Sequence, residues 1–546
     1  MAIREMSAEV VILGGGTGGC AAALAAASVG ARVVMTEETD WIGGQLTSQA
    51  VPPDEHEWIE KFGRTRGYGR FREGVRDYFR RYLPLTGEAM RNPHLNPGNG
   101  WVSPICHPPT IALAVLEAML APYTISGRLT ILPEHKPISA ETDGDKVSSV
   151  TLQSTRDGEN IVVTAPYFLD ATELGEILPL AGVEYVTGSE SRDQTGEPHA
   201  LDKADPLDMQ GITICFAVDY RAGEDHTIEK PEGYEFWRNY KADFWPDKQL
   251  SWYTSHVVPG VGTGAKEWSL FPEAEKFPLW TYRRLIDKDL FAPGTFDSDI
   301  SLINNPQNDY WLGPILEVDE AVAKKNLEAA RQLSLSFLYW MQTEAPRSDG
   351  RSGYPSLRPR GDVMGTDNGL AKYPYIREAR RIKAEYTIVE QDLNSEVRSD
   401  GGAKEYEDSV GVGGYHVDLH PSTGGRDYVK LDPYPFQIPL GALIPERVEN
   451  LLPAGKNIGT THLTNGCYRL HPVEWNVGEV AGSLAAHCVR KGLNPRQVRN
   501  DRELLENFLS VLTTQGVELR WPKPGTFESN TEEYRREHSI PLNLRT

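Results

Sequence analysis

The stretch Val10-Val11-Ile12-Leu13-Gly14-Gly15-Gly16-Thr17-Gly18-Gly19 decides the fold. Four apolar residues, three of them β-branched, read as a short buried strand. The glycines that follow fit G-x-G-x-x-G at Gly14, Gly16 and Gly19. An alanine-rich helical stretch runs to about Val29, Gly30 turns the chain, and a second strand over 32–36 ends in Glu37. Strand, glycine turn, helix, strand and acid, in that order, is the context that makes this motif a dinucleotide site. The first glycine makes the tight turn, the second lets backbone approach a pyrophosphate, and the third lets helix pack on strand. The helix N-terminus, at Thr17 and Gly18, faces the phosphates. Glu37 lies 18 residues past Gly19, near the spacing for a carboxylate on ribose hydroxyls. A nicotinamide and a flavin cofactor both fit these features.

The next residues narrow the choice. Asp40-Trp41-Ile42-Gly43-Gly44-Gln45-Leu46-Thr47 places paired glycines where N–H groups reach the same pyrophosphate from a second side. Glu38, Gly43, Gly44 and Gln45 therefore join the expected cofactor contacts. With these residues the chain resembles the large FAD-dependent oxidoreductases of the two-dinucleotide-binding-domain kind. More narrowly, it resembles a bacterial family called FAD-dependent oxidoreductase, related to fumarate-reductase-like flavoproteins. Three further patches carry the likeness: Phe168-Leu169-Asp170-Ala171-Thr172-Glu173-Leu174-Gly175, Tyr373-Pro374-Tyr375-Ile376-Arg377, and Pro453-Ala454-Gly455-Lys456-Asn457 running on to Glu474-Trp475-Asn476-Val477-Gly478. The resemblance implies bound FAD, with contacts from Asp170, Ala171, Thr172, Gly455, Asn457, Asn476 and Val477. Many relatives place an acid after the last strand's glycine to hold the ribityl chain. Here Lys456-Asn457 stands there, so either the Asn457 amide or backbone makes that contact. The resemblance says little about substrate.

At 546 residues two or more domains are expected. The expected class is α/β: a Rossmann-like FAD-binding domain built from discontinuous segments, with an inserted mixed α+β substrate domain. Residues 1–180 form its N-terminal part, with a helical excursion over 51–105. Residues 181–435 form the substrate domain, 436–495 the returning FAD-binding part, and 496–546 a C-terminal helix and tail. Expected elements include strands at 129–132, 147–153, 161–165, 168–171 and 448–454, and helices at 109–121, 317–341 and 474–490. Seven of the twelve tryptophans fall between 237 and 340, mostly as core. In the excursion, Arg64, Arg66, Arg70, Arg72, Arg76, Arg80 and Arg81 read as a solvated, salt-bridged helix face rather than an anion site.

A formal charge of −21 argues against nucleic acid or an anionic membrane as partner. No stretch reads as transmembrane and no leader precedes the first strand. The five cysteines form no C-x-x-C, so reduced thiols and a cytoplasmic protein are expected. Cys106 as a covalent flavin link is weaker than Cys106 as buried packing. A homo-oligomer is compatible with the chain.

Three groups of residues carry candidate chemistry. His416, Asp418 and His420 alternate with apolar residues, so a strand would point all three to one face, as a proton-handling set. His-x-Asp-x-His also suits a metal, but a flavin enzyme already has its redox centre, and no metal is expected. His471, just before the helix that the resemblance aims at the flavin, is a second candidate base. Arg377 and Arg381 would share a helical face, and Arg377 either binds a substrate carboxylate or makes a structural ion pair. Together these point to an FAD-dependent oxidoreductase acting on a small polar molecule by hydride transfer from a carbon bearing O or N, or by desaturation, with His416, His420 or His471 as base. A flavin monooxygenase and a non-catalytic flavin-binding redox protein are the alternatives.

Overall fold

A computed structural model describes residues 4–258, 262–398 and 402–522. Its centre is a five-stranded parallel sheet. The strands are β1 (Val10–Leu13), β2 (Val33–Glu37), β3 (Leu129–Pro133), β4 (Tyr167–Asp170) and β5 (Leu451–Pro453). The strand order is β3-β2-β1-β4-β5. Val10 pairs with Val33 on one side and with Tyr167 on the other. From β1 the sheet grows in opposite directions, and the crevice outside the carboxyl ends of β1 and β4 is where ligands bind in such sheets.

The period-2 alternation of β1 separates two cores. Val10 and Ile12 pack with the helices α1 (Thr17–Ser28) and α2 (His471–Lys491) on one face. Val11 and Leu13 pack on the other face with Val150 and Leu152 of a meander. That meander pairs Lys146–Ser154 with His135–Asp143 and Asn160–Thr164 in antiparallel register. Small residues let α1 and α2 touch backbone to backbone: a Cβ on Gly478 would stand 2.0 Å from the Gly18 oxygen.

The second region is built on an antiparallel sheet of Phe216–Tyr220, Arg284–Ile286, Ile300–Ile303 and Leu357–Pro359. The helix Glu320–Thr343 packs against it, and all seven tryptophans between 237 and 340 are buried. They fill the core, as their number suggested.

Two expectations need correction. The arginine-rich stretch is the helix Arg66–Tyr82, but Arg72 and Arg76 are buried rather than solvated. Glu60 bridges both, at 2.7 and 2.5 Å, and Arg72 also meets Glu55 at 2.9 Å. These carboxylates come from the loop before the helix, a partnership that helical periodicity does not reveal; Arg81 is exposed as expected. The segment around Arg377 is extended, not helical. Its backbone donors are taken from outside, Tyr375 N by Thr213 O at 2.8 Å and Ile376 N by the Gln49 side chain, so no i→i−4 ladder forms. At the C-terminal end the described chain forms Pro495–Asn500 and Arg502–Gln515, and the expected tail beyond residue 522 lies outside the described residues.

Candidate active site

The site has two features: a glycine-walled crevice at the carboxyl edge of the parallel sheet and, lined by other residues, a large cavity.

In the crevice Gly14 has φ +98°, and a Cβ there would stand 2.3 Å from the Ala171 oxygen. Only glycine fits such a turn. Gly14 N donates to Thr36 Oγ1 and Gly15 N to Glu37 Oε2. The second glycine turn is stitched to the first: Gly43 N donates to Gly15 O at 2.7 Å and Thr17 Oγ1 donates to Gly43 O at 2.9 Å. Helix α1 begins at Gly16 with no side-chain cap, so its first N–H groups face the crevice. Burial pushes the Glu37 carboxyl up to about 8. Besides Gly15 N it accepts from Thr39, so it secures the turn itself. Asp170 is fully buried and caps Thr172, with its pKa lifted by burial to about 6. Ala171, Thr172 and Glu38 wall the same cleft as Gly14, Gly16 and Glu37.

The chemistry of this cleft suits a dinucleotide diphosphate. The Glu173 carboxylate lies against both glycine turns, 2.9 Å from where a Gly16 Cβ would be. Its Oε1 is buried without a hydrogen-bond partner, while Oε2 pairs with Lys456, which also stands 3.7 Å from Glu474. An anion thus sits at a helix N-terminus with a buried cation behind it, the arrangement a phosphate requires.

The outcome differs for the remaining expected contacts. Gln45 donates to Arg469 O at 3.1 Å and to Glu474, tying the second turn to α2. Both ends of the Asn457 amide are engaged, with Asp170 O and with Gly455 N, so in this arrangement it braces the strand ends rather than reaching outward. Asn476 points away from the crevice and donates to Val410 O. The Val477 side chain is core. The turn of an α-helix decided these two, and no sequence signal marks which face a residue on a wholly buried helix presents.

The cavity has a volume of about 700 Å³. Strand Val417–Leu419, paired with Val429–Leu431, turns His416, Asp418 and His420 to its wall. His420 Nε2 is 3.2 Å and His416 Nε2 3.8 Å from the two Asp418 oxygens. Burial raises the Asp418 pKa, but Lys430, 3.5 Å away, and His420 overcome it and hold the carboxyl well below its usual range. Its Oδ1 is the oxygen that faces Lys430 and His416. His420 Nδ1 meets Asp309 at 2.6 Å, and Asp309 also takes Arg377 at 3.1 Å. Arg377 is therefore both ion-paired and at the cavity wall.

His471 does not fit the expected role of base. Its Nδ1 accepts from Asp54 N at 3.1 Å. Desolvation holds its pKa down, to about 3, so the ring is neutral. With Nδ1 accepting, the proton must sit on Nε2, which is buried and has no partner. His471 is a hydrogen-bond donor.

Several cavity residues escaped the sequence reading. Tyr375 lines the cavity, accepting from Arg469 at 3.2 Å with Arg377 over its ring. Arg283 pairs with Asp54 at 3.4 Å, and Asn304 lies against Arg377. Tyr375 was visible as part of a motif, but Asp54, Arg283, Asn304 and Arg469 come from separate segments with no shared spacing. All five cysteines are buried and unbridged, and no group of three His, Cys, Asp or Glu among the described residues is arranged to hold a metal ion. No described helix is long and apolar enough to cross a membrane.

Comparison with solved structures finds distant likenesses. L-proline dehydrogenase from P. horikoshii is 15% identical over 35% of this chain and 25% of its own length, with a TM-score of 0.18. A geranylgeranyl bacteriochlorophyll reductase-like protein from Thermoplasma acidophilum is 10% identical over 94% and 85% (TM-score 0.32). The p-nitrophenol 4-monooxygenase PnpA from Pseudomonas putida DLL-E4 is 11% identical over 98% and 95% (TM-score 0.35). At these similarities none bears on reaction or substrate. No curated protein matches the chain. The family profile described as FAD dependent oxidoreductase matches residues 9–509, nearly the whole chain, and the protein belongs to that family of FAD-dependent enzymes.

Proposed function

We propose that the large cavity is the substrate chamber of a dehydrogenase or oxidase that removes hydride from a carbon bearing oxygen or nitrogen. FAD, when bound at the glycine turns, supplies the two-electron acceptor. Gly14, Gly16, Gly44 and the α1 N-terminus would hold its diphosphate, with Lys456 as counter-charge once the Glu173 carboxylate moves aside.

The observation that carries the reading is Asp418: an ionised, buried carboxylate at the chamber wall, flanked by two imidazoles and 3.5 Å from Lys430. A substrate O–H or N–H would give its proton to the imidazole–carboxylate pair that His416 and Asp418 form. His416, whose side chain is 37% exposed, connects Asp418 to solvent, and Asp309 fixes the His420 ring.

Anaerobic mixing of the FAD-loaded enzyme with alcohols and amines tests this. One or more should bleach the flavin, and Asp418→Asn should slow bleaching by about 10²–10⁴-fold. Equal rates for Asp418→Asn, His416→Ala and His420→Ala would remove the assignment.

A further inference from the structure

The chamber holds an unusual set of polar atoms: buried donors with nothing to donate to. Arg283 Nε, Asn304 Nδ2, Arg377 Nε, Arg469 Nε and His471 Nε2 are all shielded from solvent and all lack an acceptor. Arg377 and Arg469 are each 2% exposed, Asn304 4% and Arg283 9%. A buried N–H left unpaired is costly, more so when charged, and the four of these that belong to residues lining the chamber, His471 excepted, call for a ligand rich in acceptors.

The five divide by position. Arg469 and His471 flank the start of α2, and Arg469 is tied through its carbonyl to Gln45 of the second glycine turn. They face the cofactor side and are set apart. The other three belong to the opposite wall. Arg283 and Asn304 lie at one edge of the antiparallel sheet, on neighbouring strands whose register puts Arg284 beside Ser301. Arg377 Nη2 reaches Asn304 Oδ1 at 3.5 Å, which turns the Asn304 amide nitrogen away from it. Each arginine is anchored at one end by a carboxylate, Asp54 or Asp309. Each arginine lines the chamber with its Nε–H unpaired. Two anchored guanidinium groups and an amide N–H, all lining one cavity, match the in-plane lone pairs of a carboxylate.

Resting on the reading of the cavity as the substrate chamber, we infer that the substrate is an organic acid whose carboxylate is held by Arg283, Asn304 and Arg377, leaving its oxidisable carbon toward the cofactor side and its proton toward Asp418.

Benzoate, a carboxylate with no hydride to give from a carbon bearing hydroxyl or amine, separates this inference from the reaction. The FAD-loaded full-length enzyme is titrated with benzoate, benzamide and phenyl phosphate by calorimetry and by the flavin difference spectrum. Benzoate should bind at least tenfold tighter than benzamide and tighter than phenyl phosphate. Arg283→Gln and Asn304→Ala should each weaken it severalfold to tenfold while keeping one FAD per chain. Arg283→Lys should restore little, since the charge returns without the planar fork. Asn304→Ala carries no charge partner and serves if the arginine variants fail to fold. Benzamide binding as tightly as benzoate, phenyl phosphate binding tighter, or no response to either substitution would overturn the inference. Benzoate binding in an enzyme that no alcohol or amine bleaches would sustain it while removing the oxidation reading. Bleaching by a neutral alcohol in an enzyme indifferent to benzoate would do the reverse.

Discussion

Single residues set the strictest conditions on this site. Gly18 is the sharpest: a Cβ there would stand 1.8 Å from the Ala454 oxygen, and no rotamer relieves a backbone clash. Gly18→Ala is expected to cost several kcal/mol, within the range of severe overpacking, and to yield protein that melts earlier and purifies with little flavin. A yellow variant with unchanged Tm would contradict the packing described. Lys266 makes a different prediction. It lies 3.2 Å over the Phe277 ring at the chamber wall, and burial together with the charge of Lys430 lowers its pKa to about 7. Its positive charge is present below that pH and lost above it. Affinity for an anion in the chamber should therefore fall as pH rises through about 7, and Lys266→Met should flatten that step. At this scale the sequence exposed the glycines, Glu37 and Asp418 because each belongs to a contiguous motif. It did not expose Arg283 or Asn304, whose roles exist only because two strands pair.

At the scale of elements, the arginine-rich helix Arg66–Tyr82 shows how far a local pattern reaches. Its apolar face, with Tyr68, Phe71, Val75 and Phe79 buried, follows helical spacing. Its two central arginines are buried by Glu55 and Glu60, which hydropathy does not anticipate. Burial raises the Glu60 pKa, yet its bonds to Arg72 and Arg76 outweigh this and hold it well below the ordinary carboxylate value. Removing one partner leaves a buried charge uncompensated, so Arg72→Met should destabilise the protein by about 3–5 kcal/mol. A denaturation midpoint shifted by less than a quarter of that would show that water reaches the cluster. The stretch around Arg377 teaches the converse. Arginines four apart suggested one helical face, but Thr213 and Gln49 claim the backbone, and tertiary hydrogen bonding overrides the spacing.

Across the whole molecule, burial of neutral histidines couples folding to pH. Desolvation lowers the pKa of His56 and His107 to about 4 and of His471 to about 3, against an ordinary value near 6.5. The unfolded chain therefore binds these protons first, and the stability each contributes is complete above about 6.5 and lost progressively as pH falls toward 4. The slope is about 1.4 kcal/mol per pH unit for each group. Comparing Tm at pH 6.5 and 4.5, His107→Gln should lose less than the parent protein; an equal loss would mean that His107 titrates normally. The same scale separates what was legible from what was not. The sequence by itself determined the parallel βαβ core and the glycine crevice, because strand periodicity, glycine turns and a helix start are written in neighbouring residues and obey local sterics, while FAD was implied by the family resemblance. It also determined that His416, Asp418 and His420 would share a face, since two-residue alternation is a property of any strand. Only the tertiary structure decided that His471 is a neutral ring accepting at Nδ1, that Asn476 and Val477 turn away from the crevice, and that Arg377 and Arg469 meet Tyr375. Those outcomes depend on which distant backbone or carboxylate satisfies each buried polar atom, and desolvation makes that choice after the chain has folded.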